Sequence, residues 1–161
     1  IAAQYPVKFG NANATKSLSE QSVCIRGNGI LVVNNLLKLN TGNRLLDLLL
    51  SGIPLNAPYG AEKFEWNASQ RKLQSVWVNN DVSFPNGIPC MSAATNTIYN
   101  IGQKNGQWTF DGLDWSTGNL NFQHKLGNQI NYNSAYAPTE IGLNGAIYSG
   151  TLLGMVGLWN Q

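Results

Sequence analysis

The feature that most constrains this chain is a repeat. "EKFEW", Glu62 to Trp66, and "DGLDW", Asp111 to Trp115, share one pattern: acid, any residue, apolar, acid, Trp. They lie 49 residues apart, and the same ungapped offset sets Asn79 on Asn128, Pro89 on Pro138, Ile98 on Ile147 and Tyr99 on Tyr148. A register held over this length indicates two copies of one structural unit. Such units bury their apolar faces against one another rather than alone.

Within the unit, short apolar runs alternate with turn residues. Strands are expected near 90–94, 97–102, 107–114 and 120–126, joined by turns carrying Thr95-Asn96, Asn105-Gly106 and Thr117-Gly118. Four short antiparallel strands in a unit of about 40–50 residues is the arithmetic of a β-propeller blade. The next copy gives strands near 139–142, 146–151 and 155–159 with no fourth. "KFG", Lys8 to Gly10, stands before Asn28-Gly29 at almost the distance of "KLG", Lys125 to Gly127, before Asn144-Gly145. Residues 1–10 are therefore expected to be a closing strand that completes the last blade and hides its edge.

The resulting map is one all-β domain over 1–161, a β-propeller or part of one. It has a closing strand at 1–10, an irregular blade at 21–79 with an insertion at 36–62, and a blade at 88–127. Residues 138–161 plus the N-terminal strand form the last blade. In the insertion, "NRLLDLLLSG" sets leucines at helical spacing behind an Asn, so 43–51 is read as a short helix or a degenerate strand pair. About three blades fall short of the usual 4–8. A homo-oligomer, or a second chain, is expected to complete the ring.

Composition agrees with this class. Only 11% of the 161 residues are charged, and Asn takes much of the vacated share. Four Asn-Gly pairs (Asn28-Gly29, Asn86-Gly87, Asn105-Gly106, Asn144-Gly145) are turn signals, because both residues tolerate positive φ. The net charge of +2 is too small and scattered for a nucleic-acid surface. No apolar run is long enough to span a membrane. The chain begins at Ile1 without a Met, and a processed, secreted or otherwise extracytoplasmic product is expected. Cys24 and Cys90 are either one disulfide or two free core thiols. The sequons at Asn13 and Asn67 are matches that an Asn-rich chain produces by chance.

"NGQWTFDGLDWSTGNLNF" resembles the repeat of quinoprotein-like (PQQ-enzyme-type) β-propellers, through Gly106, Leu113, Asp114, Thr117, Gly118 and Phe122. "FEWNASQRKL" keeps the acid and Trp but has Ser69-Gln70 in place of Thr-Gly, and "GMVGLWNQ" ends before the turn. The resemblance implies a propeller and, for its enzymes, a vicinal Cys pair over the quinone with acidic and Asn ligands for Ca²⁺. This chain departs from that set, since Cys24 and Cys90 are not adjacent and no compact acidic cluster occurs. Asp114 is read as structural, its carboxylate accepting hydrogen bonds from the turn that follows. Trp115 and Trp66 are read as packing residues.

No catalytic residue, cofactor or metal site is assigned. The single His, His124, lies on an expected outermost strand and is read as a surface or packed residue. None of Ser17, Ser19, Ser22 and Ser92 sits in a GxSxG elbow. Binding is better motivated. The loops "NNDVSFPNGIP" and "NQINYNSAYAP" mix amides with aromatics: Asn80, Asp81, Phe84 and Asn86 in one, Tyr132, Asn133 and Tyr136 in the other. Amides hydrogen-bond hydroxyls and rings stack on apolar faces, a pairing suited to a carbohydrate or peptide. The function expected is a binding or interaction module. The alternatives are a quinoprotein-like enzyme whose site another chain or a missing segment completes, and a structural or matrix protein.

Overall fold

Three antiparallel meanders follow one another along the chain and stack face to face. The computed structural model describes residues 3–9, 17–19, 24–34, 36–37, 41–51 and 59–159. Strand β1 (Ser17–Leu18) pairs with β4 (Leu36–Leu37) as a small separate ladder. The first sheet has the order β2 (Cys24–Arg26), β3 (Gly29–Val33), β5 (Ala61–Asn67), β6 (Lys72–Asn79). The second runs β7 (Cys90–Ser92), β8 (Thr97–Lys104), β9 (Gln107–Asp114), β10 (Leu120–Gly127). The third has β11 (Thr139–Ile141), β12 (Ile147–Thr151) and β13 (Gly154–Leu158). The fold is all-β, and among the described residues it has one α-helix, α1 (Arg44–Ser51), between β4 and β5.

Local chemistry explains the joints. Asn105 and Gly106 both take positive φ between β8 and β9, the geometry of a two-residue hairpin whose twist matches its strands. The helix begins where Asn43 Oδ1 accepts the Leu45 and Leu46 N–H groups at 3.0 and 3.1 Å, an N-cap that satisfies two of the helix's orphan donors. Of the two readings of 43–51, the helix is the one formed. Strand positions agree with expectation to within about two residues, the ordinary uncertainty of strand ends.

The second sheet is central. Strands β8 and β9 are buried on almost every residue because both of their faces are covered. On one side Leu31, Val33 and Ala61 of the first sheet meet Ile98, Leu113 and Trp115, with Val82 and Phe84 of the connecting loop. Lys63 lies inside this layer, its Nζ 2.8 Å from Glu65 and 5.0 Å from the Trp115 ring centroid, so its charge is shared between a carboxylate and a π face. On the other side Tyr99, Ile101, Trp108 and Phe110 pack on Ile147, Val156 and Leu158 of the third sheet. At Gly112 a Cβ would come within 2.2 Å of the Phe122 ring, so the missing side chain lets that ring lie on the sheet.

Residues 3–9 correct the expected closing strand at 1–10. They form no strand, pair with no part of β13 and lie on the first sheet. Tyr5 meets Phe64 edge to face with ring centroids 5.2 Å apart, the Lys8 N–H donates to Glu62, and Phe9 packs on Gly60. Aromatic fit decided where this segment docks. The third sheet thus has three strands among the described residues.

Candidate functional site

The "DGLDWSTG" stretch is a turn that locks two sheets together. Asp114 Oδ1 accepts the Ser116 N–H at 2.9 Å, the Thr117 N–H at 2.8 Å and the Thr117 hydroxyl at 3.0 Å, while Oδ2 accepts from Asn96 Nδ2 at 2.9 Å. Partial desolvation opposes ionisation here, but the donors of Thr117, Asn96 and Ser116 together hold the carboxyl below its usual range. Gly118 has φ +74°, and a Cβ there would lie 2.5 Å from Trp77. That indole, from β6 of the first sheet, lies over the turn and donates Nε1–H to the Trp115 carbonyl at 3.0 Å, while Asn79 Nδ2 reaches the Gly118 carbonyl at 2.7 Å. The Asp114 carboxylate and the turn that follows it are thereby committed to architecture.

The two loops before β7 and β11 do meet. Ile88 and Pro138 form a parallel bridge, and the Thr139 N–H donates to the Ile88 carbonyl at 3.0 Å. Asn86 Nδ2 donates to Asn133 Oδ1 at 3.3 Å, and the Asn86 carbonyl accepts from Ser134 Oγ and the Tyr136 N–H, each at 2.8 Å. Next to them Thr139 Oγ1 lies 3.2 Å from Ser149 Oγ and 3.5 Å from Asn100 Oδ1. Gly87 fits against the Asn100 amide so closely that a Cβ would approach Oδ1 to 2.5 Å. Asn86, Asn100, Asn133, Ser134, Thr139 and Ser149 therefore make one buried polar seam.

Three of the seven expected binding residues are buried, and a fourth, Tyr132, is half-buried. Phe84 is fully buried in the layer between the first and second sheets; this corrects its reading as a loop-face ring. Asn86 and Asn133 are buried and bonded to each other, so their amides shape the loops rather than face outward. Tyr132, in a 3-10 turn over Ile130–Tyr132, packs on the second sheet's apolar layer. Asn80 and Asp81 are exposed, and Tyr136 is half-buried at φ +66°. The Asp81 carbonyl accepts from Lys104 Nζ at 3.0 Å, so a cation stands beside this loop.

Two features escaped sequence reasoning. Asn100, Thr139 and Ser149 join the seam only because the second and third sheets meet there. Asp111, the first acid of the repeated pattern, is fully buried. Burial pushes its carboxyl up to about 6, against the opposing pull of Thr109 and Gln123 as donors and of the Lys104 charge. Neither Asp111 oxygen makes a hydrogen bond of good geometry. Its counterpart Glu62 is also fully buried, but accepts from Ser75 Oγ at 2.6 Å and from the Lys8 N–H. The repeat offset was the available signal for both acids.

Cys24 and Cys90 are free thiols, and Cys24 Sγ donates to the Pro89 carbonyl at 3.0 Å. Burial pushes each thiol up to about 12, far from the thiolate that nucleophilic or redox chemistry needs. His124 is exposed on β10 with its ring centroid 5.1 Å from that of Phe122. Among the described residues no three His, Cys, Asp or Glu side chains gather, and no helix is long and apolar enough to cross a membrane.

The chain is similar to a protein of the archaeon Archaeoglobus fulgidus described only as uncharacterized, 46% identical over 170 residues. That match takes in 99% of this chain but 32% of the relative, so the chain spans about a third of the curated protein it resembles. No family model matches the chain, and no solved structure does.

Proposed function

We propose that the three sheets are consecutive blades of a quinoprotein-like β-propeller, and that the chain works as an extracytoplasmic binding module through the loops that enter its second and third blades. The observation that carries this reading is the junction of those loops. Two meanders of similar register are entered side by side, through the parallel bridge of Ile88 and Pro138, over a buried polar seam that fixes both loops. In propellers such entry loops converge on one face, and rigid sheets holding exposed loops are a common way to build a recognition surface. Low charge and abundant Asn support the extracytoplasmic setting.

Of the expected binding residues, Asn80 and Asp81 are exposed and Tyr136 is half-buried, an amide, a carboxylate and a phenol. This set suits hydroxyl groups together with one apolar ring face, hence a carbohydrate before a peptide. A panel of glycans and peptides tests it by calorimetry. Saturable binding to a glycan, weakened about tenfold or more by both Asp81→Ala and Tyr136→Ala, is the expected result. Absence of any ligand, or indifference to both changes, would sink the reading. The buried thiols and the committed carboxylate of Asp114 favour a binding role over an enzymatic one.

A further inference from the structure

The repeat sets a buried acid in each of the first two sheets, Glu62 and Asp111, but what meets that acid differs. A Val-x-Phe tripeptide stands against each one: Val7-Lys8-Phe9 at Glu62 and Val82-Ser83-Phe84 at Asp111, with both Phe rings buried. At Glu62 the tripeptide offers a donor, the Lys8 N–H, and Ser75 Oγ adds another at 2.6 Å. At Asp111 it offers an acceptor, the Ser83 carbonyl. Gly102, which pairs with Thr109, marks how closely these groups meet. A Cβ there would stand 2.3 Å from Asp111 Oδ2, 2.9 Å from the Ser83 carbonyl oxygen and 3.0 Å from Thr109 Oγ1. Three oxygens converge on one point of β8, and of these only the hydroxyl carries a hydrogen.

Asp111 is fully buried, and neither of its oxygens has a donor of good geometry. A carboxylate and a carbonyl repel each other in so dry a place, whereas a carboxylic acid donates to a carbonyl. The loop between β6 and β7 is tied down at the same spot. The Ser83 carbonyl also accepts the Gln103 N–H at 2.9 Å, the Val82 carbonyl accepts the Gly60 N–H at 2.9 Å, and the Asp81 carbonyl accepts from Lys104 Nζ at 3.0 Å. The charged groups turned toward this layer are Lys104 of β8, Lys125 of β10 beside Thr109, Asp81 of the loop, and Arg26, Lys63 and Glu65 at its Trp115 end. Of these, Lys104 is the one whose charge acts on Asp111.

We propose that Asp111 is a proton-operated latch on the loop between β6 and β7. Protonated, it donates its O–H to the Ser83 carbonyl and holds the loop on β8. Ionised, it gives that proton to solvent, sets a negative charge against the carbonyl and draws Lys104 from the Asp81 carbonyl. Two of the loop's ties then weaken together. Burial pushes the Asp111 carboxyl up to about 6, so the latch is shut in mild acid and opens as the pH rises through that value. The same loop carries Asn80 and Asp81, so ligand affinity falls over the same range. That consequence rests on the binding role proposed above; the latch itself does not.

Amide NMR on the full chain, from about pH 4.5 to about pH 8, tests the latch without any ligand. The background is His124→Gln, so that the single imidazole adds no titration of its own. The Val82 and Gln103 amides are expected to shift with one midpoint, at about 6. Exchange at the Gln103 N–H, corrected for its intrinsic pH dependence, is expected to be about tenfold faster above that midpoint than below it. Asp111→Asn, whose amide donates at every pH, removes the midpoint and keeps the exchange slow. Should that variant fail to fold, the Asp111 carboxyl carbon is followed in the protein that retains it, and must titrate together with the two amides. Amides that do not titrate, amides that titrate unchanged in Asp111→Asn, or a carboxyl midpoint apart from theirs would overturn the proposal. Absence of any glycan binding would count against the binding role alone and leave the latch standing.

Discussion

Asp111 and Asp114 lie three residues apart on strand β9, and their surroundings drive their carboxyls in opposite directions. Asp111, raised to about 6 from 3.8, holds its proton more tightly folded than unfolded. Its contribution is fully present below about pH 4 and is lost as the pH rises through about 6. Asp111→Asn is therefore expected to raise stability at pH 7, by up to about 3 kcal/mol, and to flatten the pH dependence between about 4 and 6. Urea unfolding across that range checks both. Asp114 has the opposite sign: its contribution is present above the unfolded carboxyl value and lost as the pH falls through its lowered folded value. Asp114→Ala should cost about 1–3 kcal/mol at neutral pH, a difference that shrinks in acid. The role of Asp114 was legible in the sequence because three of its four partner atoms belong to the next three residues. The burial of Phe84 and the Asn86–Asn133 bond were not, since the second spans 47 residues and the first needs two sheets to enclose the ring.

At the scale of elements, the hairpins were the most readable parts, Asn105-Gly106 above all, where both residues take positive φ; at Asn28-Gly29 neither does, and the positive φ falls on Gly27 instead. The helix was readable as one of two options, decided by the Asn43 cap. Asn43→Ala is expected to cost about 1 kcal/mol locally and to speed hydrogen exchange at the Leu45 and Leu46 amides, while the main unfolding midpoint barely moves. Exchange followed by NMR would show it; an unchanged rate at both amides would remove the cap from the account. The N-terminal segment was misplaced for a definite reason. Its spacing to Asn28-Gly29 matched a strand in the repeat, but spacing carries no information about which surface an aromatic pair will fill. Tyr5 and Phe9 found Phe64 and Gly60, and the segment lies there as irregular chain.

For the molecule as a whole, the stacking of sheets is what the 49-residue register encoded, since a face repeated at fixed spacing must find a repeated partner. Trp77 is the clearest link between neighbours: its indole lies over the Gly118 turn and bonds the Trp115 carbonyl. Trp77→Ala should destabilise by about 3–5 kcal/mol and Trp77→Phe by roughly 1–3, through the lost hydrogen bond and the orphaned carbonyl. If the first two sheets form one cooperative unit, both variants unfold in a single transition followed alike by far-UV circular dichroism and tryptophan emission. A biphasic curve in the wild type would argue that the sheets melt apart.

The covering of the first sheet by residues 3–9 has a consequence for how the chain emerges during synthesis. The segment that shields the starting face is translated before the face itself, so it is at hand when β5 leaves the ribosome. Each later sheet then covers a face of the one before it as translation proceeds. Residues 3–9 act, in effect, as an internal escort for the sheet that is made next after them.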